Sequence, residues 1–275
     1  MAKLKLQARG KLQTGTAAFN TDALSEQTVS PSRILLLTAH PDDECFFFAP
    51  TILALRRSSS SPEIFSLCLS SGNADGLGER RKGELVRSLD ILGVEKDNRW
   101  VIDHPQLQDN ITQQWDAEII AEVLRPFVIE HHITSILTFD TKGISLHPNH
   151  FSLPLGASYL IKSLSSSHTS VPRLFSLVTV PVLPKYAGLP SAILTRLGVI
   201  SQAPLAFEPT VDSLPVFISG IPDYLTTVRA ISAHDSQMVW FRYLYMTFSR
   251  YMWVNEWVEF KTQKGLGQDP LGATI

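Results

Sequence analysis

Two short runs, His40-Pro41-Asp42-Asp43-Glu44 and His147-Pro148-Asn149-His150, carry imidazole and carboxylate groups at close spacing. Both are ligand types that zinc accepts. Proline is favoured at the first position of a helix, so the spacing predicts His40 and His147 at N-caps. Asp43 and His150 then fall at the third helical position, which faces back toward the cap as in a capping box. Each run presents two side chains converging on one point, and a helix N-terminus behind them favours an anion such as hydroxide. A lone His-Pro dipeptide is ordinarily a turn, and consecutive acids ordinarily stabilise a first helical turn. Two such runs, each following a predicted strand, read instead as one metal site. His40, Asp43, His147 and His150 are its candidate ligands. Three would leave a position open for water and four would close it, and spacing does not choose between them. Asp42 beside them has the chemistry of a general base. Cys45 is weighed as a further ligand and set aside, because oxygen and imidazole donors already suffice. His131 and His132, near a helix end, and His104 and His168, in loops, are read as structural.

The elements that must position these residues follow from patterning. Arg33 to Ala39 is a short apolar run suited to a parallel strand buried on both faces. Ile64 to Leu69, Trp100 to Ile102 and Ser135 to Phe139 read as further strands. Helices are predicted through Thr51 to Leu55, over Glu79 to Leu92 with Gly93 as the stop, along the Ile119 to Val128 face, and over Phe151 to Ile161. Strands alternating with helices predict an α/β fold: a doubly wound, mostly parallel, Rossmann-like sheet flanked by helices. Such sheets place their sites beyond the carboxyl ends of the strands. Strand order is not readable. Further on, Leu174 to Leu183 reads as a strand and Pro222 to Ala233 as a helix. Buried core is the preferred reading of the proline-broken stretch to Phe207, over a re-entrant or interfacial segment. An aromatic-rich region, Trp240 to Phe260, ends the folded part. The expected organisation is a polar, poorly ordered segment over 1–31, a single domain over 32–262 and a tail over 263–275.

The chain has 275 residues, 44% hydrophobic and 18% charged, enough apolar material for one large core. A net charge of -2 removes the electrostatic case for nucleic acid, since no basic excess exists to neutralise phosphates. Two cysteines, Cys45 and Cys68, cannot make a disulfide framework. The polar Met1 to Pro31 segment reads as neither a secretory signal nor a membrane span, and no run of the length a spanning helix needs occurs elsewhere.

From about Ile34 to Asn255 the sequence resembles the de-N-acetylases that remove acetate from N-acetylglucosaminyl-phosphatidylinositol in GPI-anchor synthesis. That family extends to the bacterial deacetylases of mycothiol synthesis. The resemblance rests on the His40–Glu44 run with Phe47-Phe48-Ala49-Pro50 after it, Leu69 to Asn73, and Gly76 to Arg80 leading to Glu84-Leu85. It continues through Thr138-Phe139-Asp140, Gly143, the His147–His150 run, His234 to Gln237, Trp240-Phe241-Arg242 and Ser249 to Met252. The last group points to the eukaryotic branch. The resemblance implies His40, Asp43 and His150 as zinc ligands and Asp42 as the base that takes a proton from water. It implies His147 as the protonated group that stabilises the oxyanion and donates to the leaving amine, and Arg80 as a contact to the phosphate or inositol side. Asn149 departs from the Asp frequent in bacterial relatives and bears on the tuning of His147.

The expected activity is zinc-dependent hydrolysis of the N-acetyl group of that glycolipid; ferrous iron also suits these donors. The expected location is peripheral, at the cytosolic face of the endoplasmic reticulum membrane, with no transmembrane helix in the chain. Two other readings are a deacetylase of a soluble N-acetylglucosaminide and a non-catalytic binding subunit with a degenerate site.

Overall fold

The computed structural model describes residues 32–58, 61–166, 170–197 and 216–260. The expectations for 1–31, for 263–275 and for the part of the 174–207 stretch beyond 197 lie outside the described residues. The strands are β1 (Arg33–Thr38), β2 (Glu63–Cys68), β3 (Arg99–Val101), β4 (Ser135–Phe139), β5 (Arg173–Leu177), β6 (Val216–Ile218) and β7 (Val254–Glu259). Among the described residues they form one sheet in the order β3-β2-β1-β4-β5-β7-β6. The first five are parallel, while β7 runs antiparallel to both β5 and β6. The doubly wound, mostly parallel sheet expected from the sequence is the fold observed.

The order has one reversal point. From β1 the chain winds outward through β2 and β3, then returns to add β4 and β5 on the other side. A crevice opens at the carboxyl ends of β1 and β4, where such sheets place their ligands. Both strands are buried over nearly their whole length and mostly apolar, because helices cover both sheet faces.

The helices are α1 (Asp43–Phe47), α2 (Ala49–Arg56), α3 (Gly78–Leu92), α4 (Ala117–Glu130), α5 (Gly143–Leu146), α6 (Pro148–Ser165), α7 (Val182–Lys185), α8 (Gly188–Arg196), α9 (Ile221–Ser232) and α10 (Trp240–Phe248). Gly93 ends α3 at φ 72, the left-handed stop that its type predicts. Asp116 caps α4 by accepting from the N–H groups of Glu118 and Ile119. The α4 and α6 helices pack closely because Gly156 has no side chain: a Cβ there would lie 2.3 Å from Cγ2 of Ile120.

Two expectations need correction. The strand predicted over Leu174 to Leu183 ends at Leu177, and the chain turns into α7 at Val182. Asp140 takes over there, accepting from the N–H and the hydroxyl of Thr179, and Pro181 and Pro184 suit a turn better than a ladder. Of the stretch expected as buried core, the described part over 181–197 is also largely open, with Leu183 87% exposed.

The aromatic C-terminal region becomes α10, a short turn and β7. Asn255 on β7 is fully buried and ties the strand to the segment after β1. Its Oδ1 accepts from the N–H and hydroxyl of Thr51, and its Nδ2 donates to the Phe47 carbonyl. Trp257 Nε1 donates to the same Thr51 hydroxyl.

A second tie joins α2 to α9. Arg57 donates to Asp223 from both terminal guanidinium nitrogens, Nη2 lying 2.7 Å from Oδ2. Burial alone would raise the Asp223 pKa, but the Arg57 hydrogen bond and the Gly220 N–H outweigh it and hold the carboxyl below its ordinary value. A depressed folded-state pKa gives stability that is present above the unfolded value of about 3.9 and lost as pH falls through the folded one. Asp223→Asn should therefore lower the melting temperature at pH 7, and the gap from wild type should close on acidification below about pH 4. A gap independent of pH would remove the ion pair as its cause.

Candidate metal centre and active site

His40 leaves the end of β1 and His150 lies in the first turn of α6, just beyond β4. The two runs build their convergence differently. The second follows the predicted pattern: His147 is the N-cap of α6, Pro148 comes first and His150 third, and the His150 N–H bonds to the His147 carbonyl. The first run does not. Asp42, not His40, precedes α1, and Asp43 is the first helical residue. Asp43 still reaches back, but to the strand end: its Oδ2 accepts from the N–H groups of Ala39 and His40 at 2.9 and 3.0 Å. That leaves Oδ1 facing His150.

The donor atoms sit close together. His150 Nε2 lies 3.3 Å from His40 Nδ1 and 3.2 Å from Asp43 Oδ1. A tetrahedral zinc site with bonds of about 2.0–2.1 Å has edges of roughly 3.3–3.4 Å. Both separations match such edges, and the ring nitrogens of His40, His147 and His150 lie within 4.8 Å of one another, so the donor set suits such an ion. Hydrogen bonds behind the rings choose the tautomers. His150 Nδ1 donates to the Gly143 carbonyl at 3.1 Å, freeing Nε2. His40 Nε2 meets Asn149 Oδ1 at 3.0 Å and Asp109 Oδ1 at 3.2 Å, freeing Nδ1. Outer partners of this kind orient metal-ligating imidazoles.

The charge states of His40 and Asp43 agree with this. At His150, burial is outweighed by the Asp43 carboxylate, which raises the pKa, so an ion there would displace a proton from that ring. Burial, chiefly, lowers the His40 pKa and keeps its ring neutral, the form that ligates a metal. Burial opposes ionisation of Asp43, but His150 and His40 overcome it and hold the carboxyl well below its usual range.

Asp42 stands beside the cluster at φ 125, a conformation that costs a non-glycine residue strain. The fold over-determines it. Glu44 Oε2 accepts the Asp42 N–H at 3.0 Å, while Glu44 Oε1 accepts from Ser88 and meets His234 Nε2 at 2.8 Å. Glu44, readable as first-turn acidity, is thus a fully buried brace. Burial raises the Asp42 pKa despite Arg242 and Arg81 nearby, which moves it toward the range of a working base. Arg242 Nη2 lies 3.1 Å from Asp42 Oδ2, with its guanidinium 4.2 Å from the Phe46 ring centroid.

His147 completes the group. Its side chain is 18% exposed against 7% and 6% for His40 and His150, so it is the most open of the three imidazoles. Its ring nitrogens and theirs lie close enough for all three to be counted in one metal-binding cluster. Nδ1, however, accepts the Asn149 N–H, so the proton of the neutral ring sits on Nε2, which points toward Asp109 at 3.9 Å. Burial, then the imidazoles of His40 and His150, hold its pKa down to about 4. Asn149, expected to bear on His147 through its side chain, turns that side chain to His40, held there by Nδ2 donating to the Gln113 carbonyl.

Arg80 is the expected residue that lies apart from this cluster. Its side chain is 58% exposed and donates to Glu84. Arg81 enters instead: it is buried, donates to the Pro41 and Gly72 carbonyls, and lies 3.6 Å from Asp42 and 3.4 Å from Asp109. One step along a helix turns a side chain by about 100°, and the sequence offered two adjacent arginines. Asp109, in the loop after β3, was not singled out; an isolated acid in a polar loop gives no periodic signal. Arg81→Gln should lower kcat/KM by at least about 100-fold, the scale of removing a buried charged group from an active site. Arg80→Gln should stay within about threefold, as surface substitutions do; equal losses would reverse the assignment.

A mostly parallel sheet with an imidazole–carboxylate centre at its reversal point is the architecture of a metal-dependent N-deacetylase. Residues 35–158 match the family model described as PIG-L, GlcNAc-PI de-N-acetylase. The chain is 38% identical to N-acetylglucosaminyl-phosphatidylinositol de-N-acetylase of Bos taurus, over 82% of each chain. It is 33% identical to a probable enzyme of the same name from Dictyostelium discoideum, covering 85% of this chain and 95% of that one. In fold it is similar to the zinc-inhibited form of teicoplanin deacetylase Orf2, with TM-score 0.54 and 12% identity, over 84% of this chain and 100% of that one. The chain belongs to the GlcNAc-PI de-N-acetylase family.

Proposed function

We propose that this protein hydrolyses the N-acetyl group of N-acetylglucosaminyl-phosphatidylinositol, releasing acetate and glucosaminyl-phosphatidylinositol in GPI-anchor biosynthesis. The observation that carries the reading is the strained, braced Asp42 carboxylate set beside His150 Nε2, whose separations from His40 Nδ1 and Asp43 Oδ1 both match the edge of a tetrahedral ion. In this reading His40, Asp43 and His150 hold zinc, and one deacetylase unit spans 32–262. Zinc bound there would acidify water and polarise the amide carbonyl. Asp42 accepts a proton from the attacking water, its raised pKa suiting the transfer. Arg81 and Arg242 hold that carboxylate in place. His147 faces the substrate with its Nε2–H, a donor for the carbonyl oxygen as negative charge develops there. Burial and the imidazoles of His40 and His150 outweigh the nearby Asp109 and hold the His147 pKa down to about 4. The ring is therefore neutral at pH 7, and the proton that the departing amine needs is the one Asp42 took from water. Arg80 is left outside the reacting set.

The substrate is a membrane lipid, so the enzyme works peripherally at a membrane, in this reading the cytosolic face of the endoplasmic reticulum. Among the described residues no helix is long and apolar enough to cross one. The test is acetate release from N-acetylglucosaminyl-phosphatidylinositol, with chelator and with zinc added back. Release only from soluble N-acetylglucosaminides would replace the substrate, and no chelator-sensitive release from either would leave a binding protein.

A further inference from the structure

Many of the apolar residues that the core does not absorb lie on elements bonded to the site. Helix α10 buries Met246 but leaves Trp240 74% exposed, with Phe241, Leu244 and Phe248 also open to solvent. The α7–α8 segment exposes Leu183 and lies against the same helix: a Cβ on Gly188 would sit 3.2 Å from the Thr247 carbonyl oxygen and 3.3 Å from that of Phe248. Leu146, also exposed, directly precedes His147. The elements are bonded to the site. Arg242 of α10 reaches Asp42, Tyr245 of α10 donates to the Phe46 carbonyl, and Lys185 of α7 donates to the Ile144 carbonyl in the turn before His147.

Charge singles out the same segments. No Asp or Glu occurs between Asp140 and Glu208, or between Asp235 and Glu256. Arg250 is buried against Glu256 and Arg242 is paired with Asp42, so these segments offer a leaflet the lack of negative charge rather than free cations. Exposed tryptophan, phenylalanine and leucine in segments without acidic residues match the apolar face of an interfacial helix, which lies about 5–10 Å into the headgroup boundary. Missing acids suit an anionic leaflet. A protein docked over this rim would cover the site, whereas a bilayer presents lipid headgroups to it.

We propose that α7, α8 and α10 form a docking face for an anionic phospholipid bilayer, seating the catalytic mouth on the leaflet that holds the substrate. The inference rests on the lipid-substrate reading above. The glycan headgroup then meets Asp42 and His147 while the acyl chains stay in the membrane.

The test uses the full chain and vesicles of phosphatidylcholine with and without phosphatidylinositol. Wild type should float with the vesicles, more so with phosphatidylinositol. A variant combining Trp240→Ser, Phe241→Ser and Leu244→Ser should lose at least about tenfold in partitioning, since each exposed side chain gives up its apolar burial. Its turnover of vesicle-embedded N-acetylglucosaminyl-phosphatidylinositol should fall in step, while hydrolysis of soluble N-acetylglucosaminyl-inositol phosphate stays at the wild-type rate. Fluorescence gives a second readout, because the other four tryptophans are buried or half-buried. Vesicles should shift the wild-type emission to the blue and shield Trp240 from an aqueous quencher. Undiminished flotation of the variant would overturn the docking face, as would a Trp240 already shielded without vesicles, where the chain or a second copy covers it. Flotation without hydrolysis of either substrate would instead overturn the catalytic reading and leave the docking face standing.

Discussion

Asp42→Asn should lower kcat by about 10²–10⁴-fold, the usual contribution of a positioned general base, with little change in melting temperature. The substitution is chosen for the backbone. Asp42 sits at φ 125, where most side chains add strain and Asn is among the few enriched at positive φ. Asn keeps the shape and can still accept from Arg242, and the backbone N–H bonded to Glu44 is untouched. What it loses is the lone pair that binds a proton at neutral pH. Steady-state kinetics beside a thermal melt checks this. An Asn variant with near wild-type kcat would remove Asp42 from the base role, whereas Asp42→Ala would mix chemistry with added backbone strain.

His150→Ala should yield protein that does not retain zinc and whose activity falls by more than about 100-fold, the upper end of the cost of losing only an outer partner. Asn149→Leu removes such a partner of His40 and should sit inside the roughly 10–100-fold range in metal affinity. Metal analysis after purification, with titration of free zinc against a competing chelator, separates the two. Stoichiometric zinc in the His150→Ala protein would move the site elsewhere. The same analysis after anaerobic purification distinguishes zinc from ferrous iron. His147→Ala reads the number of ligands: unchanged zinc affinity with lost turnover matches three protein ligands, and a large drop in affinity matches four.

Much of this architecture was legible in the residues. The runs at β1 and β4 are mostly apolar and buried because both faces are covered, and their extent follows from that. The α3 helix stops at Gly93 for a reason its type dictates. The two His-Pro runs announced imidazoles and carboxylates at strand ends. Local pattern failed where the outcome depends on the opposite side of the fold. Nothing near Asp109 says that its loop folds over His40 and His147, and nothing in Arg80-Arg81 says which faces inward. Strand order is likewise a property of crossovers. The antiparallel β7 was hidden because its polar Asn255 and Glu256 are buried among the apolar positions and break the usual alternation. The cap geometry expected of His40 was replaced by one in which Asp43 ties the strand end directly, so the side chains converge by another backbone path.

The two imidazoles that meet at the centre stand 110 residues apart in the chain. Closing a loop of that length costs entropy, and here it closes only as β1 and β4 pair. An ion held across this gap is a clasp between the two halves of the polypeptide rather than a local ornament. No fragment ending before α6 can carry half of its affinity. Melting should therefore track free zinc, gaining about 2.7 kcal/mol when the ion is at 100 times its dissociation constant. A substitution that only loosens the crossover, such as one at Gly156, would then be felt first as slack metal retention and only later as a lost fold.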